Sequence, residues 1–281
     1  MNTLKIAVPN KGTLSENAVS MLREAGYAVR RDPKELIVAD PRNGVEFFYL
    51  RPRDIATYVG SGALHVGITG RDLLLDSRSS AREIESLDFG ASTFRFAGPI
   101  GAFADITDLT GRRVATSYED LVGDFLAAAG VEADLIHLDG AVESAVRLGV
   151  ADAVADVVET GSTLRKQGLE IFGPVILDSN AVVIANDADA PGVDTLLRRL
   201  QGVMVAHQYV LMDYDLPSDL IDQASAITPG FESPTVSPLR GGDWVAVRVM
   251  VPRDDTNELM DRLYEIGARA ILVSPIHAAR I

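Results

Sequence analysis

The sequence predicts an α/β protein built as two lobes, followed by a smaller module of βαββαβ order. Three observations carry this. Apolar strand patterns alternate with helix patterns up to Val193–His207, which argues for mostly parallel sheets covered by helices. Charged residues (Lys11, Arg51, Arg71, Asp72) stand just past the carboxyl ends of strands, the edge where open α/β sheets bind ligands. After His207 the rhythm changes to short strands with two helices between them.

In order, Leu4–Val8 reads as a strand and Pro9-Asn-Lys-Gly12 as a loop. Thr13 and Glu16 have capping-box spacing, opening a helix with Leu14, Ala18, Met21, Leu22 and Ala25 on one face, stopped by Gly26. Glu46–Leu50 is a strand, Pro52 starts a short helix, and Leu64–Thr69 is a third strand before Gly70-Arg-Asp72 and the helical Leu73-Leu-Leu. Gly60-Ser-Gly62 lacks the third glycine of a dinucleotide fingerprint and follows a helix, so it reads as a helix stop. A second α/β unit begins near residue 91, with strands at Arg113–Thr116 and Leu135–Leu138 and helices at Asp120–Ala129 and Ala141–Leu148. Val175–Asn186 reads as a single return strand. In the last module, Tyr209–Asp213, Thr235–Leu239, Trp244–Val251 and Ala270–Val273 are strands, with helices at Leu220–Ala226 and Asn257–Ile266, a ferredoxin-like order. Expected boundaries are 1–90 for the first lobe, completed by 179–207, then 91–178 for the second lobe and 208–281 for the module.

Composition narrows the function. The chain has 281 residues, 47% of them hydrophobic, enough for two or three cored units. Against 26 Lys and Arg stand 40 Asp and Glu, a formal charge of −14, which argues against nucleic acid and anionic membrane as partners. Anionic substrates would be met by a few local basic residues and by metal ions. With no cysteine there is no disulfide, thiolate metal site or cysteine nucleophile, and the four histidines show no ligand spacing. His65 and His137 read as structural. No segment has the length of a membrane span and the N-terminus is no signal peptide, so the expectation is a soluble, cytoplasmic protein.

The most informative segment is Asp156-Val-Val-Glu-Thr-Gly-Ser-Thr163-Leu164, which follows the apolar run Val150–Ala155. A strand that ends in such a loop can set backbone N–H groups and the hydroxyls of Thr160, Ser162 and Thr163 around one phosphate. Gly161 permits the positive φ such a nest requires. Asp156, at the strand end, can accept from both hydroxyls of a ribose. Together they suggest recognition of a ribose 5-phosphate; the alternative is a plain strand–turn–helix in which Thr160 or Ser162 caps the helix.

This pattern resembles the diphosphate-sugar loop of the phosphoribosyltransferases, with Ala155 where a second acid usually stands. Val8-Pro-Asn-Lys-Gly12, Leu50-Arg-Pro-Arg-Asp-Ile55, Gly67-Ile-Thr-Gly-Arg-Asp72, Leu138-Asp-Gly-Ala-Val-Glu143 and Gly149–Asp156 extend it, as do Ile227-Thr-Pro-Gly230 and Glu232-Ser-Pro-Thr235 in the last module. Taken together they resemble the ATP phosphoribosyltransferases of the long, regulated form, which begin histidine biosynthesis. A departure lies at Tyr118–Gly123, where Glu119 and Gly123 replace an expected proline and basic residue.

The resemblance implies a two-lobed, periplasmic-binding-protein-like catalytic core with a ferredoxin-like regulatory domain. It implies transfer of the 5-phosphoribosyl group from phosphoribosyl diphosphate to N1 of ATP, with Mg²⁺, and feedback inhibition by histidine. It also implies a homo-oligomer, from dimer to hexamer. Asp156 is assigned to the ribose hydroxyls, and Glu159, Thr160, Gly161, Ser162 and Thr163 to the 5-phosphate. Lys11 and Arg51 are the candidates for phosphate charge, and Asp72 and Glu143 for the ribose–metal region; metal ligands are not assigned. Asp215, Ser233, Thr235 and Ala270 are the candidates for the histidine site. Plainer readings stand beside these: Lys11 as a solvated loop charge, Arg51 as a partner of Asp54, Glu143 and Asp139 as helix-start acids, and Asp215 as a cap. Two other classes remain, a solute-binding protein and a phosphoribosyltransferase for another base.

Overall fold

A computed structural model describes residues 3–30, 32, 34–158 and 161–280. The chain opens with β1 (Leu4–Pro9), α1 (Gly12–Glu24), β2 (Ile37–Asp40), β3 (Val45–Leu50), α2 (Pro52–Gly60), β4 (Val66–Gly70), α3 (Arg71–Asp76) and β5 (Arg82–Ser86). Next come β6 (Ser92–Pro99), β7 (Arg113–Thr116), α4 (Glu119–Ala128), β8 (Asp134–His137), β9 (Ala153–Val158), α5 (Ser162–Lys166), β10 (Leu169–Ser179) and β11 (Ala181–Ala185). After α6 (Val193–Gln208) the chain forms β12 (Tyr209–Pro217), α7 (Ile221–Ile227), β13 (Thr235–Pro238), β14 (Trp244–Pro252), α8 (Thr256–Glu265) and β15 (Arg269–Pro275). Two compact units result: Met1–Arg23 with Tyr27–Asp194, and Glu24–Gly26 with Thr195–Ile281.

The first unit holds two mixed sheets, ordered β2-β3-β1-β4-β11-β5 and β10-β6-β9-β7-β8. In the first sheet β1 lies parallel to β3 and β4. In the second β7 lies parallel to β8 and β9. The parallel strands are apolar runs because helices or loops cover them; β4 is buried at every residue. Helix α2 lies on β4 at close range, with Ile55, Ala56 and Val59 facing inward. Gly67 makes that approach possible, since a Cβ there would sit 2.5 Å from Ile55 Cγ2 and 3.0 Å from Val59 Cγ2.

Two segments carry the chain between these sheets, Leu87–Ala91 and Ser179–Ala181, and they are bonded to each other. The Leu87 N–H donates to the Ala181 carbonyl and the Ala181 N–H to the Phe89 carbonyl, at 2.9 and 3.0 Å. Asn180 Nδ2 adds bonds to Ser86 Oγ at 2.6 Å and the Leu87 carbonyl at 3.0 Å.

Several expectations need correction. The Val175–Asn186 return strand is two strands in different sheets, β10 and β11, broken at Asn180, because the chain changes lobes there. The helix expected over Ala141–Leu148 is only a 3₁₀ turn at Val142–Ser144, because the Ser144 and Ala145 N–H groups donate three residues back, to the Ala141 and Val142 carbonyls at 2.9 and 3.0 Å, instead of four. Strands β2, β5 and β6 were not foreseen, and their antiparallel pairing makes both sheets mixed. Helix α1 begins at Gly12, so Thr13 lies within it instead of capping it.

The second unit has a four-stranded antiparallel sheet in the order β13-β14-β12-β15, the βαββαβ connectivity read from sequence. One face buries Val210, Met212, Tyr214 and Leu216 of β12 with Val245, Val247, Val249 and Val251 of β14, against Leu259 and Leu263 of α8. The alternate residues (Leu211, Asp213 and Asp215 on β12, Arg248 and Met250 on β14) form the other face.

Gly67→Ala therefore loses stability by about 1–3 kcal/mol, the usual cost of overpacking a filled core. Urea unfolding of this variant checks it: a midpoint equal to wild type would show that α2 can move aside.

Candidate active site

The parallel strands of the first unit bring their carboxyl ends to common edges. The β1–β3 register aligns Pro9 with Leu50, so Lys11 and Arg51 leave the sheet side by side. Lys11 is exposed beside Gly12, whose φ of 77° turns the loop into α1. Arg51 is exposed at the N-cap of α2, with Pro52 at the first helical position. Its carbonyl accepts from the Asp54 N–H at 2.9 Å, and no ion pair to Lys11 or Arg51 is formed among the described residues. Arg71, at the same edge, is committed elsewhere: it forks onto Glu83 at 2.7 and 2.8 Å and donates to the Asp178 carbonyl at 3.2 Å.

Asp72 is 7% exposed and held from the other sheet. Ser179 Oγ donates to Asp72 Oδ1 at 2.8 Å and accepts from the Asp72 N–H at 3.1 Å. Gly70 leaves room for this fold-back, since a Cβ there would meet Asp72 Oδ1 at 2.3 Å. Tyr118, just past β7, is largely buried, with its ring edge-on to Phe94 at 5.0 Å. Burial raises its phenol pKa far above the ordinary value, and the charges of Asp72 and Asp156 raise it further while Arg53 opposes them.

Asp156 lies within β9, two residues before its end, so the expected strand-end position is corrected by that much. Its Oδ1 accepts from the Val157 N–H at 2.8 Å. Burial lifts the Asp156 pKa to about 6; the Val157 bond opposes this, while Glu143 and Asp72 add to it. Glu143 reaches this region from the 3₁₀ turn. The charges of Asp72 and Glu143 thus act on Asp156, and those of Asp72 and Asp156 on Tyr118, which puts the four residues in one region where the two sheets meet.

The loop after β9 has the expected local form where it is described. Gly161 is at φ 67° and N-caps the five-residue helix α5, with Ser162 and Thr163 exposed in its first turn. Glu159 and Thr160 lie outside the described residues. Asp139 is almost fully exposed, and His137 pairs with it and with Glu119 at 3.4 Å. Among the described residues no three acidic or imidazole groups converge tightly enough to hold a metal ion by themselves.

In the second unit, Ser233 and Thr235 line a cavity of about 410 Å³ with Leu211, Phe231, Arg248 and Met250. Asp215 and Ala270 are not on its wall. They sit together farther along β12 and β15, where Asp215 pairs with Arg269 beside a bulge, and Ala270 has φ 49°.

Sequence reasoning missed Ser179 and Asp76, whose roles depend on partners more than 40 residues away. It noticed Tyr118 only as part of a departing motif. The tyrosine's position directly after a parallel strand was the signal available.

Comparison with known proteins follows this geometry. A family model described as ATP phosphoribosyltransferase matches residues 51–202, and another, described as HisG, C-terminal domain, matches residues 206–278. The chain is 62% identical to an ATP phosphoribosyltransferase of Pseudarthrobacter chlorophenolicus, covering 99% of this chain and 100% of that one. It is similar to the solved ATP phosphoribosyl transferase (HisG:HisZ) complex from Thermotoga maritima, with TM-score 0.62 and 28% identity over 70% of this chain and 96% of that one. An ABC-transporter chain named for L-cystine in Listeria monocytogenes shares the two-lobed fold, with TM-score 0.50 and 13% identity over 74% of this chain and 92% of that one. The core is therefore of the periplasmic-binding-protein-like kind.

The raised Asp156 pKa sets a pH dependence of stability. A carboxyl whose folded pKa exceeds its unfolded value of 3.8 stabilises fully below that value and loses the contribution as pH rises through about 6. Asp156→Asn, which has no proton to lose, is therefore expected to melt higher than wild type at pH 8, the gap narrowing as pH falls below 6. Calorimetric melting across that range is the check; a pH-independent gap would assign the effect to packing.

Proposed function

The chain belongs to the ATP phosphoribosyltransferase family, and we propose that its cleft performs that family's reaction with the residues assembled above. The reaction joins ATP to phosphoribosyl diphosphate and is the first step of histidine biosynthesis. Adenine N1 attacks the anomeric carbon, the carbon–oxygen bond to the diphosphate breaks, and pyrophosphate leaves with the bonding pair. N1 already carries a lone pair, so the attack needs no strong base. Orientation and charge stabilisation supply the rate.

The observation that supports this reading best is the meeting of Asp72, Tyr118, Glu143 and Asp156 where the loop bearing Gly161, Ser162 and Thr163 begins. In it Asp156 accepts from the ribose hydroxyls, and the 159–163 loop receives the 5-phosphate. Lys11 and Arg51, exposed and without an ion pair among the described residues, supply positive charge for the anionic substrates. The family's activity normally needs a metal ion, and Mg²⁺ is our choice. The cleft offers hard carboxylate oxygens on Asp72 and Glu143, which suit that ion, and most of its ligands would be diphosphate oxygens and water. The ion would neutralise charge on the leaving pyrophosphate.

Residues 208–281 we read as a histidine-sensing domain, with Asp215 for the ammonium and the backbone at Ala270 beside it, and with Ser233 and Thr235, on the cavity wall farther along the sheet, as polar partners for the other end of the ligand. We read the protein as a cytoplasmic homo-oligomer. In keeping with this, none of its described helices is long and apolar enough to cross a membrane.

Mixing the protein with ATP, phosphoribosyl diphosphate and Mg²⁺ should release pyrophosphate, and Asp156→Asn should lower turnover on the order of 10²-fold through lost orientation. Lys11→Ala or Arg51→Ala should raise substrate KM or lower kcat while changing the melting temperature little. Normal kinetics in all three variants would remove these residues from the site.

Histidine should inhibit, and Asp215→Ala should abolish the inhibition while turnover without histidine persists. Calorimetry showing no histidine binding to wild type, or a joint loss of activity and inhibition in Asp215→Ala, would refute the regulatory reading.

A further inference from the structure

Helix α4 opens without a cap of its own. Tyr118 occupies its N-cap position with no side-chain cap bond. The N–H groups of Asp120 and Leu121 donate instead to Asp76 Oδ1, at 3.1 and 3.2 Å. Asp76 ends α3, which follows β4 of the other sheet, so one lobe caps the leading helix of the second. The remaining carboxylate oxygen, Oδ2, takes Arg53 Nη1 at 2.9 Å. The Arg53 guanidinium in turn lies 4.8 Å from the centre of the Tyr118 ring, within cation–π range. At the rim of the same junction, Arg78 reaches Asp120 at 2.6 Å and Asp124 at 2.7 Å.

This arrangement is more specific than a surface ion pair. The Asp76 side chain is 9% exposed, and each of its oxygens has a different task. One satisfies N–H groups that a helix start leaves open, and the other fixes the guanidinium that covers the tyrosine. Tyr118 is thereby gripped from three sides: by the helix start that follows it, by Arg53 over its ring, and by Phe94 edge-on at 5.0 Å. The aspartate itself does not belong to the group around Asp156, so direct contact with the reacting atoms does not explain it.

We propose that Asp76 and Arg53 are positioning residues of the transfer reaction, forming a cross-lobe clamp that sets Tyr118 beside Asp72 and Asp156. The clamp rests on reading the cleft as the transferase site. It ties the spacing of the two catalytic edges to one buried carboxylate, so a loosened clamp misplaces groups that must act together on one substrate.

The test uses the full chain with ATP, phosphoribosyl diphosphate and Mg²⁺. Asp76→Asn keeps an acceptor for the helix start and removes the charge that holds Arg53; Arg53→Ala removes the other partner. Each should lower kcat about tenfold, leave both KM values within about twofold, and melt close to wild type. Because the two act through one contact, the double variant should be no slower than the slower single. Asp76→Ala also loses the cap, so it should melt earlier and lose hydrogen-exchange protection at the Asp120 and Leu121 amides, while Asp76→Asn keeps that protection. Wild-type kcat in a folded Asp76→Asn, or losses that multiply in the double variant, would overturn the clamp. Tyr118→Phe separates the two levels of the argument. If it is slow while the clamp variants are normal, the clamp alone fails; if it turns over normally, the Tyr118 hydroxyl has no part in the reaction and the clamp falls, while the transferase reading is decided separately by pyrophosphate release from wild type.

Discussion

The double crossing between the two sheets is the constraint on which the rest of the first unit depends. Leu87–Ala91 and Ser179–Ala181 carry the chain from one sheet to the other and are bonded to each other through backbone and the Asn180 side chain. Two crossings bonded together fix one sheet against the other. The consequence appears one residue away. Ser179, the last residue of β10, bonds both the backbone and the carboxylate of Asp72 at the start of α3. An acid of one lobe is thus oriented by a hydroxyl of the other, and the Arg71 N–H donates to the Asn180 carbonyl at 3.0 Å beside it. The topology, more than any single contact, makes a site from residues separated by more than a hundred positions.

The electrostatics of that site run against stability. Burial keeps the Asp156 carboxyl far above its ordinary pKa, and Glu143 and Asp72 add like charge. A protein selected only for stability would place an amide or an apolar group there. Acids that repel one another in a cleft are instead a common mark of a functional site. Lys11 and Arg51 show the reverse. They are basic side chains in a chain of net charge −14, yet they form no ion pair among the described residues. Elsewhere in the unit, Arg53, Arg71, Arg78 and Arg113 are all paired with carboxylates.

Much of this was legible in the sequence because it is local. Strand ends, glycine stops and the hydroxyl-rich loop after Asp156 depend on neighbours a few residues apart, and the ferredoxin-like order of the last module followed from spacing alone. What was not legible depends on distant partners. The Val175–Asn186 segment is continuously strand-like, and only the change of sheet shows that Asn180 breaks it. The 141–148 segment has helical composition, but its first amides bond three residues back and leave only a turn. Asp76 reads in sequence as the tail of a short apolar helix, and its bonds to the Asp120 and Leu121 amides come from folding.

The acidic cluster also bears on how such a cleft could speed a glycosyl transfer. As the diphosphate departs, positive charge develops on the ribosyl ring and negative charge on the leaving group, so the two ends of the breaking bond need opposite environments. Under the proposed assignment, Asp156 and its neighbours face the ring, while Lys11, Arg51 and a metal ion face the phosphates. A carboxylate in a buried setting interacts with a developing cation more strongly than one in water, because less solvent screens it. The burial that makes Asp156 costly in the empty cleft is then the condition for its effect in the occupied one. It follows that ligand binding should favour the ionised form of Asp156. A substrate that donates two hydroxyl hydrogens and gathers positive charge offers the carboxylate the partners that the protein withholds, which lowers its pKa from about 6 toward the ordinary range.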